Sequence, residues 1–270
     1  MTGQRPDTSP HDYRVVCEWQ PAPTIVGGQA VNLWAINYLV PNVPKSTLVS
    51  KDLDVVVGAD GIAHLKRIPG WSFEAQRTRN WMDSRLGFLR GTSPDGRPLL
   101  VEVLHSVHGL DKSDLADAAF VRFEGAVFRV LDPVAMLKAK TANVRDIDQA
   151  GPPARQDRQH LRLMAQCVPL FLRDVHDAAV AAPEKAKEAL SVFSRLFKTL
   201  QQEKITATLF KEGIAPRSLL PEEFAQSPLE RVRKSYEWQM NLVPAAPCAS
   251  LLRPSVAAAL KPKQGPKASP

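Results

Sequence analysis

Two short stretches decide the reading of this chain: Thr24-Ile25-Val26-Gly27-Gly28, and, after an intervening apolar segment, Ser50-Lys51-Asp52-Leu53-Asp54-Val55-Val56-Val57. Two aspartates one residue apart, running into three valines, read as the start of a buried strand. Side chains alternate along a strand, so Asp52 and Asp54 project from the same face, about 7 Å apart by the strand rise. Carboxylates at that separation repel unless a positive charge lies between them. Mg²⁺, which takes one or two carboxylates plus substrate phosphates, suits the pair. Upstream, Gly27-Gly28 lets backbone approach a phosphate where a Cβ would obstruct it. Between the two stretches, Ala30, Leu33, Trp34 and Tyr38 recur at helical spacing.

Working outward, the first half alternates strand and turn signals. Leu86–Arg90 and Pro98–Leu104 flank the turn residues Ser93-Pro94-Asp95-Gly96 and predict a hairpin. Ala119–Val130 predicts a second strand pair, broken near Glu124-Gly125. Asp132-Pro133 is a helix start, with the aspartate as N-cap and proline in the first helical position. Downstream the period becomes helical over Arg158–Val180, where Pro169 predicts a kink, and then over Pro183–Gln201 and Pro221–Leu242. The expected organisation is a disordered start at residues 1–11, an α/β (α+β) core of small mixed-sheet type at 12–150 and a helical domain at 151–250. A basic disordered tail at 251–270 completes it. The turn-rich Asp148-Gln149-Ala150-Gly151-Pro152-Pro153 marks the boundary between core and helices.

Glu102 sits in Leu99-Leu100-Val101-Glu102-Val103-Leu104. A carboxylate inside an apolar strand is costly to bury unless it is paired or binds metal. His105 and His108 have neither a nucleophile elbow nor a zinc-helix spacing around them and read as rim residues. Arg77-Thr78-Arg79 and Arg231-Val232-Arg233-Lys234 lie near Trp71, Trp81, Tyr236 and Trp238. They read either as RNA-binding charge and stacking or as a solvated face beside core aromatics, with the second favoured.

These motifs resemble the nucleotidyltransferase superfamily, and more closely its AbiEii-type branch, which includes toxins of toxin–antitoxin and phage-defence systems. A "VGG-x-A-x-x-L" opening is matched by Val26 to Leu33, and "S-x-D-L-D" by Ser50 to Asp54, although the Pro41–Lys45 loop lengthens the gap between them. The resemblance implies a small mixed-sheet core in which Asp52 and Asp54 hold Mg²⁺ or Mn²⁺. Gly27, Gly28, Ser50 and Lys51 would then lie at the nucleotide. It also implies a third carboxylate on a later strand, where Glu102 is the acid in a suitable place. A helix of the form "P-x-x-L-L-x-x-K-L-x-A" aligns its lysine on Lys140 when counted from Pro133. Lys138 is about 200° away round that helix, so only one of the two can face the site. The last motif, "K-D-x-x-D-L", keeps only Asp157, since Gln156 replaces the lysine and His160 the second aspartate.

The implied activity is transfer of a nucleotide from an NTP such as ATP to an acceptor hydroxyl, with RNA (tRNA) as the expected acceptor and an antitoxin as a possible protein partner. Two alternatives stand beside it: a non-catalytic nucleotidyltransferase-like binding protein, and an adenylyltransferase acting on small molecules such as antibiotics. Composition fits a soluble globular protein, with 44% hydrophobic and 23% charged residues in 270. The net charge of +7 favours a polyanionic partner. Cys17, Cys167 and Cys248 form no metal spacing and predict free thiols in a reducing cytoplasm. No apolar run reaches the roughly 18 residues that span a bilayer, and Met1–His11 lacks a signal-peptide core, so no membrane association is expected.

Overall fold

The structure is a computed structural model that describes residues 8, 10–39, 52–58, 60–76, 84–150 and 155–246. Ser50 and Lys51 lie outside those residues, as do Pro41–Lys45, residues 77–79, Trp81, Cys248 and the expected tail. Within residues 1–11, expected to be disordered, Thr8, Pro10 and His11 are described parts of the fold. Thr8 is buried, its hydroxyl accepting from Tyr13 Oη at 3.2 Å and its carbonyl from Gln29 Nε2 at 3.1 Å. Pro10–Tyr13 then form a 3-10 turn.

In chain order the elements are α1 (Arg14–Cys17), β1 (Thr24–Val26), α2 (Gly27–Leu39), β2 (Leu53–Val56), α3 (Gly61–Leu65), β3 (Ser72–Ala75), β4 (Arg85–Thr92) and β5 (Pro98–Leu104). There follow α4 (Lys112–Ala116), β6 (Ala118–Phe123), β7 (Ala126–Leu131), α5 (Pro133–Asp146), α6 (Asp157–Ala181), α7 (Ala186–Leu200), α8 (Glu203–Lys211) and α9 (Glu230–Met240). The architecture is mixed α/β, as the sequence predicts. A seven-stranded sheet has the order β3-β4-β5-β2-β1-β7-β6 among the described residues. The β2/β5 and β1/β7 pairs are parallel and the others antiparallel.

Alternation divides the sheet into two faces. Ile25, Leu53, Val55, Leu89, Val101, Val103, Val121, Phe128 and Val130 are register neighbours and all are buried. Burying such a face removes apolar surface at about 25 cal/mol per Å², the main term holding sheet and helices together. Helix α2 lies against β1, β2, β6 and β7, with Ala30, Leu33 and Trp34 buried. Trp34 donates its indole N–H to the Leu131 carbonyl at 2.9 Å and meets Phe171 of α6 edge-on. The helical half shares this core, because α6 packs along α2 and α5 and its buried residues are continuous with those of the sheet. The division expected near residue 150 thus falls between segments with one common core.

Both expected hairpins form, as β4–β5 and β6–β7. Helix α6 runs through Pro169 as one element. The helix expected over Pro221–Leu242 is instead two pieces, a 3-10 turn at Glu222–Gln226 and then α9. Pro228 is the cause: the residue before a proline is pushed out of the helical region, and Ser227 has φ −55°, ψ 134°. The short elements α3, α4, α8 and β3 carry too little periodicity to have been expected.

Arg195 of α7 ties the helical half to the sheet. Its guanidinium pairs with Asp117 Oδ2 at 3.0 Å and with Asp132 Oδ2. Asp132 also caps α5 as expected, Oδ1 accepting from Ala135 N–H at 2.9 Å. Asp132→Ala should lower stability by about 2–4 kcal/mol, from the lost cap and a half-stranded Arg195. Asp132→Asn, which keeps the cap acceptor, should cost about half as much. Denaturant midpoints of the two variants check this.

Candidate active site

Strand β2 presents the acidic pair because its alternate residues are committed to the core. Leu53 and Val55 are fully buried, so Asp54 and Val56 face the other way and are half-buried. Asp52 stands one residue ahead of the strand. Parallel pairing with β5 sets Leu53 beside Val101, Asp54 beside Glu102 and Val55 beside Val103. Glu102 is therefore Asp54's direct neighbour on the same face, one strand spacing of about 4.8 Å away. The register continues across β4 and β3, giving a transverse row Val26, Asp54, Glu102, Phe88, Glu74.

The crowding shows in Asp54. Burial, then the charges of Asp52 and Glu102, push its carboxyl up to about 7, while Lys140 and Arg155 pull it down. The expected acids and the expected lysine are thus gathered in one electrostatic neighbourhood. Arg155 joins them without having been expected.

Gly27 opens α2 against this carboxylate. Its φ is +68°, and a Cβ there would lie 1.9 Å from Asp54 Oδ2. The glycine is required by the aspartate's close approach to the helix start. Gly28 follows in the first turn of α2, half-buried.

Helix phase separates the two lysines of α5 as the geometry requires. Lys138 pairs with Asp114 at 2.7 Å and Asp111 at 3.2 Å. Lys140 is buried, with Nζ 3.0 Å from Asp157 Oδ1. Asp157, the first residue of α6, also accepts from Asn143 Nδ2 at 3.1 Å and from Arg155 Nε at 2.7 Å. Burial alone would raise its pKa, but Lys140, Arg155 and Asn143 outweigh that and hold it well below the usual carboxylate range. His160, one turn along α6, is buried with neither ring nitrogen hydrogen-bonded. Burial first, then Lys140, push its pKa down to about 3, so it is neutral at pH 7.

Several expected candidates stand apart. His108 pairs with Asp146 at 3.0 Å on the surface. Around α9, Tyr236 is buried against Phe197 and Phe224, Lys234 pairs with Glu230 at 2.7 Å, and Trp238 is exposed. Residues the sequence did not single out are Arg155, Asn143 and Tyr13. Asn143 could have been found, since it lies three residues after Lys140 on the same helical face. Tyr13, pushed up to about 12 mainly by burial, senses the charge of Asp52 from a distant part of the sequence.

Among the described residues there is no group of three or more His, Cys, Asp or Glu that could hold a metal ion. Asp52 and Asp54 nevertheless fit Mg²⁺, which keeps waters and takes substrate oxygens beside one or two carboxylates. No helix of the described residues is long and apolar enough to cross a membrane.

No protein-family model and no curated protein matches the chain. Among solved structures it is similar to an antigenic nucleotidyltransferase-like protein from Paracoccidioides brasiliensis, at 16% identity and a TM-score of 0.42, over 69% of this chain and 95% of that one.

Two outcomes follow from the geometry. Because the folded pKa of Asp54 lies above the unfolded 3.8, its contribution to stability is present below about pH 4 and is lost as pH rises through about 7. Asp54→Asn should therefore raise stability at pH 8 by roughly 1–3 kcal/mol without divalent ions, and the gain should vanish near pH 4. Thermal melts of both proteins across that range decide it. Gly27→Ala should destabilise by more than about 1 kcal/mol, through both the positive φ and the clash with Asp54, as read by chemical denaturation.

Proposed function

We propose that this chain is a divalent-metal-dependent nucleotidyltransferase that moves a nucleotide from an NTP to an acceptor hydroxyl on RNA. The observation that carries the reading is the register of β2 against β5, which sets Glu102 beside Asp54 with Asp52 one step away on the same acidic patch. Asp52 and Asp54 are the residues to hold Mg²⁺, which when bound supplies the charge neutralisation that a triphosphate needs beside carboxylates.

The chain's own groups divide the remaining work. Lys140 is a fixed positive charge near Asp54, and Asp157 locks its direction. Glu102, the register neighbour of Asp54, would orient the acceptor hydroxyl and take its proton as the oxygen attacks the α-phosphorus. The acceptor O–P bond forms, the bond from the α-phosphorus to the bridging oxygen breaks, and pyrophosphate leaves with the electron pair. Holding both reactants on one sheet face replaces an encounter with a positioned step. RNA as acceptor is supported by the net charge of +7.

The test is incubation with each labelled NTP and total cellular RNA in Mg²⁺, for the wild type and for Asp52→Asn and Asp54→Asn separately. Wild-type protein should label RNA, and each variant should lose several orders of magnitude of transfer while staying folded, with a metal-free melting temperature no lower than that of the wild type. Near-wild-type transfer by either variant would remove that residue from the metal site. Labelling by both would overturn the reading.

A further inference from the structure

Beside the carboxylates, on the same face of the sheet, lies an aromatic ring that the hydrophobic core does not use. Phe88 is half-buried, and among the described residues it belongs neither to the core nor to the side chains packed against it. Its partner across the β4–β5 ladder is Glu102. The Arg85 and Arg90 guanidinium carbons each stand 5.8 Å from its ring centroid.

A β-bulge builds this arrangement. Arg90 and Phe88 share a face by ordinary alternation, but Arg85, three residues from Phe88, should point to the opposite one. The register shifts between Arg85 and Gly87, so that Arg85 pairs with Leu104, Phe88 with Glu102 and Arg90 with Leu100. Leu100, Glu102 and Leu104 alternate onto one face, and their three partners follow them. Bulges re-aim side chains in this way, often next to active sites. Gly87 is part of the device, since a Cβ there would lie 2.3 Å from the Glu74 carbonyl oxygen of β3.

Resting on the nucleotidyltransferase reading for its role, we infer that Phe88, with Arg85 and Arg90, is the platform on which the unpaired 3′ end of the acceptor RNA stacks. Bases stack on aromatic faces and on guanidinium planes with little regard for sequence, and arginines pair with the phosphates that accompany them. The neighbouring acids repel those phosphates. Their repulsion turns the strand so that its backbone runs on the Arg85–Arg90 side and its terminal ribose points towards Glu102. Arg90 is already drawn to an anion, its Nε lying 3.2 Å from Glu74 Oε2, an exposed pair that a phosphate can replace.

The test uses a short fluorescent oligoadenylate with a free 3′ hydroxyl, in Mg²⁺ and without NTP. Phe88→Leu should weaken binding about 5- to 150-fold, while Phe88→Tyr, which keeps the ring, should bind within about twofold of wild type. The same oligoadenylate ending in 5-bromouridine should crosslink to Phe88 on irradiation. Unchanged affinity in Phe88→Leu, no binding by the wild type, or a crosslink elsewhere overturns the platform. Asp54→Asn separates this inference from the reading beneath it. That variant should still bind the oligomer in a Phe88-dependent way. If Phe88-dependent binding persists while the wild type transfers nothing from any NTP, the platform stands and the enzymatic reading falls.

Discussion

The unfavourable interaction among Asp52, Asp54 and Glu102 is the constraint around which the rest of the molecule is arranged. Asp54 and Glu102, side by side on a sheet face with Asp52 one residue ahead of the strand, are held there by hydrophobic commitments behind them, since Leu53, Val55, Val101 and Val103 are buried on the opposite face. The strands cannot slip by one residue without moving that apolar set into solvent. The core therefore fixes the acids in a position they would not choose, and Asp54, pushed up to about 7, carries the strain. Gly27 follows from the same crowding, because Asp54 leaves no room for a Cβ at the start of α2.

Countercharge reaches this patch from the helical half, which gives the shared core a functional consequence. Lys140 comes from α5 and Arg155 from just ahead of α6, and both are held by the buried Asp157. A buried ion pair of this kind contributes little net stability, because desolvation offsets the attraction, but breaking it strands a charge and costs about 3–5 kcal/mol. Its value lies in fixing where the charges sit. With Arg195 bridging α7 to Asp117 and Asp132, the helices are registered against the sheet by charge as well as by packing.

Local signals made much of this legible in the sequence. Strand alternation set Asp54 on the face opposite Leu53 and Val55, although Asp52 falls just ahead of the strand; the Asp132-Pro133 start set the phase of α5, and that phase told Lys140 from Lys138. Each of those inferences needs only a few consecutive residues. Glu102 was recognisable as an acid out of place, but its partnership with Asp54 depends on parallel pairing between strands almost fifty residues apart, which no local pattern encodes. Phe88 was hidden by a bulge that shifts the face on which Arg85 emerges. Tyr13 lies just past the segment expected to be disordered, and nothing in the local pattern there pointed to Asp52. The split before α9 was readable from Pro228 and overlooked because the apolar spacing on both sides remained helical.

Charge balance gives the site its final logic. At full ionisation Asp52, Asp54, Glu102 and Asp157 bring four negative charges and Lys140 and Arg155 two positive ones, a net of −2. His160, with a pKa pushed down to about 3, adds nothing at pH 7. An aspartate in its place would deepen the deficit to −3. On the proposed reading, one divalent cation held by Asp52 and Asp54 would close the deficit that remains. Without such an ion, protonation of Asp54 is the available relief, and its pKa near neutrality is how that relief shows itself. On the proposed reading, a metal ion bound there would displace that proton, and the lysine and arginine held by Asp157 work in the same direction, pulling the Asp54 pKa down against burial.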